Sequence, residues 1–256
     1  MTQTFIEKHR YKLALVGPLA LLLLWWAASS AQWVSPKLLP DPLSTFKTLA
    51  VSAMDATMWT DIKGTTVRTL GAFVIAALIG IPAGIVLGAN QIVYRSVEFL
   101  VDFFRSTPAT AMFPLFLLIF GIGETSKIAV AAFAAWLVIL FNVAYGVMNA
   151  RQTRILAARV MGASDAQIFR QVLFFESLPQ TFVGLRIGVS MALVVIIVAE
   201  MFIGSSNGMG RRIIDAQQVF DLKQMYASII VTGVLGYSFN LLCIGIERYF
   251  VRWSGK

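Results

Sequence analysis

The sequence predicts an all-α integral membrane protein, a bundle of about six spanning helices with one charged loop between the fourth and the fifth. Three observations carry that prediction. The 256 residues are 58% hydrophobic and only 13% charged, where a soluble domain carries about 25% charged residues. Apolar runs long enough to cross a bilayer recur along the whole chain. The stretch from Asn149 to Arg186, by contrast, holds its own charges in Arg151, Arg154, Arg159, Asp165, Arg170 and Glu176. No mid-chain linker, low-complexity tract or internal repeat interrupts the pattern, so residues 1–256 read as one domain.

Leu13–Ala31 follows Lys8, Arg10 and Lys12 and just reaches the roughly 20 residues a span needs. A cleaved signal peptide is the rival, because Ser29-Ser30-Ala31 resembles a cleavage site. The apolar run exceeds the usual 7–15 residues and contains the bulky pair Trp25-Trp26, which favours a retained first span. Asp41-Pro42 then reads as an N-cap with proline at the first helical position. Leu43, Phe46, Leu49, Ala50, Ala53 and Met54 recur on one face, predicting a helix on the outer interface packed against the bundle. Thr65–Ala89 is the second span, and Gly80 and Gly84 permit close helix packing in lipid. The third, over about 97–120, is interrupted by Pro108 and Pro114. The fourth, fifth and sixth are expected at about 128–148, 182–204 and 226–250.

Lysine and arginine counts set the orientation. With the N-terminus inside, inner segments hold twelve: Lys8, Arg10, Lys12, Arg95, Arg105, Arg151, Arg154, Arg159, Arg170, Arg248, Arg252 and Lys256. Outer segments hold seven: Lys37, Lys47, Lys63, Lys127, Arg211, Arg212 and Lys223. The bias places both termini and the charged loop in the cytoplasm. The net charge of +8 thus follows topology and anionic headgroups rather than a nucleic-acid partner.

Inside the charged loop, Gly162 stands where a helix end wants positive φ. Ser164-Asp165-Ala166-Gln167 is a capping box that opens a second helix. Pro179 is expected to stop that helix or to start the next. The loop is therefore a helix–turn–helix whose turn faces outward, suited to being gripped by another protein.

Ala157-Ala158 followed by Gly162, and then Leu178-Pro179, resembles the "EAA" cytoplasmic loop of ABC-importer permeases. Leu39-Pro40-Asp41-Pro42, Phe120-Gly121-Ile122-Gly123-Glu124, Ala199-Glu200 and Gly208-Met209-Gly210 are similar to the nitrate, sulfonate, taurine and bicarbonate branch, over roughly residues 38–253. The family's glutamate is Leu156 here, and a proline often found four residues before Pro179 is Phe175. The resemblance implies a type I ABC-importer permease of the bacterial inner membrane, paired with a second copy as a homodimer. It implies partner ATPases that bind ATP and magnesium, since this chain carries no cofactor itself, and a soluble extracytoplasmic receptor. It implies a small anion or related nutrient as cargo. It also implies that the loop, about 149–180, couples to the ATPase through Ala157, Ala158, Met161, Gly162, Ala163, Ser164 and Asp165.

No catalytic residue or metal ligand set is legible. His9 is the single histidine, which leaves a membrane protease without its base. Cys243 is the single cysteine, and no phosphate-binding glycine loop occurs. Ionisable and polar groups within spans point to the path or to packing. Glu200 is either a path residue or a partner of Arg68. Arg186 either steers an anion or snorkels to headgroups, and Asn142 either lines the path or links two helices. Thr107-Pro108 either exposes backbone to a substrate or is an ordinary kink. The alternative function is an ion-coupled secondary transporter or channel without an ATPase. Such a protein is expected to show paired intramembrane charges or helices broken in corresponding halves.

Overall fold

The computed structural model describes residues 10–251, all in helices and short connections, with no strand among them. The chain divides into two compact units, one of Met1–Trp59 with Arg212–Val231, the other of Thr60–Arg211 with Thr232–Lys256. Lys8, His9, Arg252 and Lys256 lie outside the described residues.

The first unit contains α1 (Arg10–Ser30) and α2 (Pro42–Ser52). Asp41 caps α2 by accepting from the Ser44 N–H at 2.8 Å. Hydrogen bonding from Ser44 holds the Asp41 carboxyl below its usual range. The expected packing face is only partly used: Leu49 is half-buried and Phe46 meets Trp25. Leu43 and Met54 are 80% and 89% exposed, and the buried residues are Pro42, Thr45 and Ser52. In a bilayer the solvent itself is apolar, so the polar residues turn inward. Ser52 accordingly pairs with the Gln224 amide at 2.8 Å. Trp25 of α1 donates to the Pro40 carbonyl at 3.0 Å and packs beside the Phe46 ring.

Four helices are long and apolar enough to cross a membrane: α3 (Ala56–Ala89), α6 (Glu124–Met148), the continuous run Asp165–Phe202, and α11 (Leu222–Phe250). A fifth span exists if α4 (Gln91–Ser106) and the segment Ala109–Phe120 are taken together across their 92° bend. The described apolar part of α1, Leu15–Ser30, is shorter than these and falls where the first span is expected.

Pro108 makes the bend. It pushes Thr107 out of the helical region, to φ −83° and ψ 124°. Thr107 Oγ1 then turns back to the Phe103 carbonyl at 3.0 Å. A 3-10 turn, Ala109–Met112, leads into α5 (Phe113–Phe120), where Pro114 sits in the first turn and costs no hydrogen bond. Pro179 does not stop a helix. The run starts as α8 (Asp165–Ile168), passes a π-helical turn, Phe169–Leu173, and continues as α9 (Phe174–Phe202) with Pro179 inside. Hydroxyls of Ser177 and Thr181 bond carbonyls one turn back in that stretch, as proline-bearing membrane helices require.

The core of the second unit is α6, packed on α3 and α9 through small residues. Ala72, Ala76, Ala131, Ala135, Ala192 and Ala199 are buried there. A Cβ at Gly84 or Gly88 would lie 2.7 or 2.6 Å from a backbone carbonyl of α6. The glycine spacing therefore serves helix packing.

Candidate functional site

Three places in the second unit gather polar groups. The first lies where the first turn of α6 and the last turn of α9 meet the N-terminal half of α3, and it joins motifs far apart in sequence. Arg68 Nη1 donates to Glu200 Oε1 at 2.7 Å and to the Asn207 carbonyl at 2.9 Å. Its Nη2 donates to Asn207 Oδ1 at 2.8 Å and Glu124 Oε1 at 3.1 Å, and its Nε to Glu124 Oε2. All five guanidinium donors are used. Lys127 Nζ spends its three on Glu124 Oε1 at 2.7 Å, the Gly204 carbonyl at 3.1 Å and Ser205 Oγ at 3.0 Å.

Glu200, fully buried, also accepts from Thr65 Oγ1 at 2.9 Å and the Gly210 N–H at 2.9 Å. The Gly208 and Met209 N–H groups go to Asp61 and Thr65, at 2.8 and 2.9 Å. The Gly-Met-Gly motif is thus a backbone cradle for a carboxylate and its supports. A β-carbon at Gly208 would meet that carboxylate at 2.5 Å. Arg68 and Lys127 face the carboxylates of Glu200 and Glu124, and Glu124 has its side chain 52% exposed. The cluster locks two helix ends onto the side of α3. Lys127, 1% exposed, is accordingly no loop cation, and buried charge pairs are present where the sequence offered few.

The second place is the turn between the fourth and fifth expected spans. α7 (Gln152–Val160) ends at Gly162 with φ +82°. The Gly162 and Ala163 N–H groups close onto the Arg159 and Ala158 carbonyls, each at 3.0 Å, which is a Schellman cap. Ser164 and Gln167 form the expected capping box, at 2.8 and 3.3 Å. Arg154 pairs with Glu176, tying α7 to the base of α9. Val160 and Met161 are 88% and 80% exposed, while Ala157, Gly162, Ser164 and Asp165 are also exposed and Ala163 half-buried. Ala158 is buried, so it supports the turn instead of presenting to a partner.

The third place is a cavity of 390 Å³ at the Thr107–Pro108 bend, which Thr107 and Asn142 both line. Asn142 Nδ2 bonds the Val138 carbonyl at 2.8 Å, and its Oδ1 accepts from Gln180 Nε2 at 2.9 Å. Asn142 therefore links α6 to α9 and lines the cavity as well. Arg186 faces Glu247 at 3.9 Å. Neither Arg186 nor Glu200 lines this cavity. Sequence reasoning missed Arg105, counted only as an inner-side charge, which lines the same cavity with its guanidinium 5.0 Å from the Phe141 ring centre.

Residues 76–256 match the family model of the binding-protein-dependent transport system inner membrane component. This chain belongs to that family. The permease is 32% identical to the taurine transport system permease protein of Escherichia coli (strain K12), over 94% of this chain and 90% of that protein. It is 30% identical to the bicarbonate transport system permease protein of Synechococcus elongatus, over 96% of this chain and 94% of that one. Its fold matches a chain of the inward-facing MetNI methionine ABC transporter with a TM-score of 0.68 at 23% identity, covering 77% of the permease and 98% of that chain. The permease is thus a transport subunit of an ABC importer, an inner-membrane component whose ATP hydrolysis belongs to a partner ATPase and whose family depends on a binding protein.

Proposed function

We propose that the permease works as a homodimer that passes a small oxyanion, of the sulfonate or bicarbonate class, and is driven through the turn between α7 and α8. The observation that carries the coupling role is Val160–Met161, an apolar pair held outward on a turn closed by a Schellman cap and a capping box. Exposed apolar side chains on a rigid polar loop suit a protein groove better than water. Met161, Gly162, Ala163, Ser164 and Asp165 form the presented edge, with Ala157 behind them and Ala158 buried beneath. The cargo class rests on the taurine, sulfonate and bicarbonate systems to which the similar permeases belong. The path candidates are Thr107 and Asn142, which share one cavity; Arg186 and Glu200 already have charged partners. The orientation with termini and turn in the cytoplasm rests on the arginine-rich loop.

Gly162→Val tests the coupling role. A Cβ there meets no atom within 4 Å, so the substitution acts through backbone strain alone, about 1–2 kcal/mol per residue in the left-handed region. The variant should insert normally, yet lose about tenfold or more of its transport as the ATPase detaches or hydrolyses ATP without cargo. Transport at the wild-type rate would remove the coupling assignment.

A further inference from the structure

Two sizeable cavities border α6. The larger, 710 Å³, is lined by apolar side chains such as Ile79, Phe116, Phe133 and Trp136, and its charged lining residue is Glu124. An anion has nothing to gain there. The 390 Å³ cavity is different in kind. Arg105, Ser106 and Thr107 line it from one side of the broken span, and Asn142 from α6. Pockets of about 300–1,000 Å³ are the usual size for small ligands. Val138, in the same lining, lies about 21 Å along α6 from Glu124, so the cavity is separate from the Arg68–Glu200 cluster.

Where cations of this unit are buried or half-buried, they are matched. Arg68, Lys127 and Arg186 each have a carboxylate within 4 Å. Arg105, exposed at the mouth of the cavity, has none among the described ion pairs and is held instead over the Phe141 ring. Cation–π contact orients a guanidinium but does not cancel its charge. Asn142 spends one amide hydrogen on Val138, leaving another for a ligand.

We propose that this cavity is an oxyanion site, in which Arg105 meets a sulfonate, carboxylate or phosphate group that Thr107 and Asn142 orient. The inference rests on the permease reading and deepens it by assigning the charge that selects the cargo. Arginine suits this task because its planar fork matches two oxygens of one anionic group. The break at Pro108 matters because it ends α4 beside the cavity, placing Arg105 and Thr107 there together. Arg105 stands in the last turn of α4, a position that also favours a cation through the helix dipole, so the test must read ligand and not stability.

The permease, purified with its ATPase in phosphatidylcholine nanodiscs and without the soluble receptor, is titrated with radiolabelled methanesulfonate. Saturable binding is expected, weakened roughly ten- to hundredfold by Arg105→Gln, as for loss of a hydrogen bond to a charged group. Arg105→Lys should keep a larger share. A second arm measures phosphatidylglycerol co-purified from native membranes. Methanesulfonate binding in phosphatidylcholine assigns the site to the transported solute; Arg105-dependent retention of phosphatidylglycerol alone assigns it to a headgroup. Binding of both kinds that is absent, or unchanged by Arg105→Gln, would overturn the site. Retention of the ATPase is scored separately in wild type. Its loss there would count against the permease–ATPase reading and leave the ligand arms to decide the site.

Discussion

Arg68→Gln is expected to destabilise the permease by about 3–5 kcal/mol, the cost of leaving a buried ion without its partner. Glu200 has no exposed surface, and after the substitution only Thr65 and the Gly210 N–H still donate to it. Glu200→Gln should be the milder change, because Arg68 keeps Glu124 as a counter-charge. The asymmetry distinguishes a shared network from a single pair. Arg68→Gln with Glu200→Gln should recover part of the loss, since the double variant buries no unpaired charge. Thermal unfolding of the three detergent-purified variants checks the order. Equal and additive losses would mean that the two groups do not depend on one another.

Gly210→Ala should be nearly as damaging, by about 3 kcal/mol. Its Cβ would lie 2.2 Å from the Ile197 carbonyl oxygen and 2.8 Å from Glu200 Cβ. A carbonyl inside α9 cannot move aside, so the start of α10 (Met209–Gln218) must shift. That shift takes the Gly210 N–H away from the Glu200 carboxylate. Overpacking costs about 1–3 kcal/mol, and a lost hydrogen bond to a charged acceptor about 1.5–3. Gly233→Ala, where a Cβ meets nothing within 4 Å, is the control and should stay within about 0.5 kcal/mol. Matching yields and melting temperatures for the two variants would refute the close approach of α10 to α9.

What was legible in the sequence was mostly local. The Asp41 cap, the Ser164 capping box and the positive φ of Gly162 each depend on a few neighbouring residues, and each appears where the sequence places it. The Arg68–Glu200 contact was one of two open readings, and geometry decides for it. Lys127 was not legible, because a lysine beside a span looks the same in a loop as in a buried cluster. What distinguishes it is the acceptors from the 204–205 connection, nearly eighty residues away. Leu43 and Met54 turn outward on α2 because apolar periodicity marks the core only when the surroundings are water. Pro179 misled for a related reason: in α9 hydroxyls and a preceding π turn accommodate a proline that would end a helix in water.

The account turns on a cytoplasmic turn that an ATPase grips, and accessibility of Met161 measures that most directly. In a Cys243→Ser background, Met161→Cys should react with a membrane-impermeant thiol reagent in inverted vesicles and not in intact spheroplasts. Washing the ATPase from the inverted vesicles should raise its labelling rate several-fold, because bound ATPase covers the exposed turn. Labelling from the outside, or a rate indifferent to the ATPase, would contradict the account.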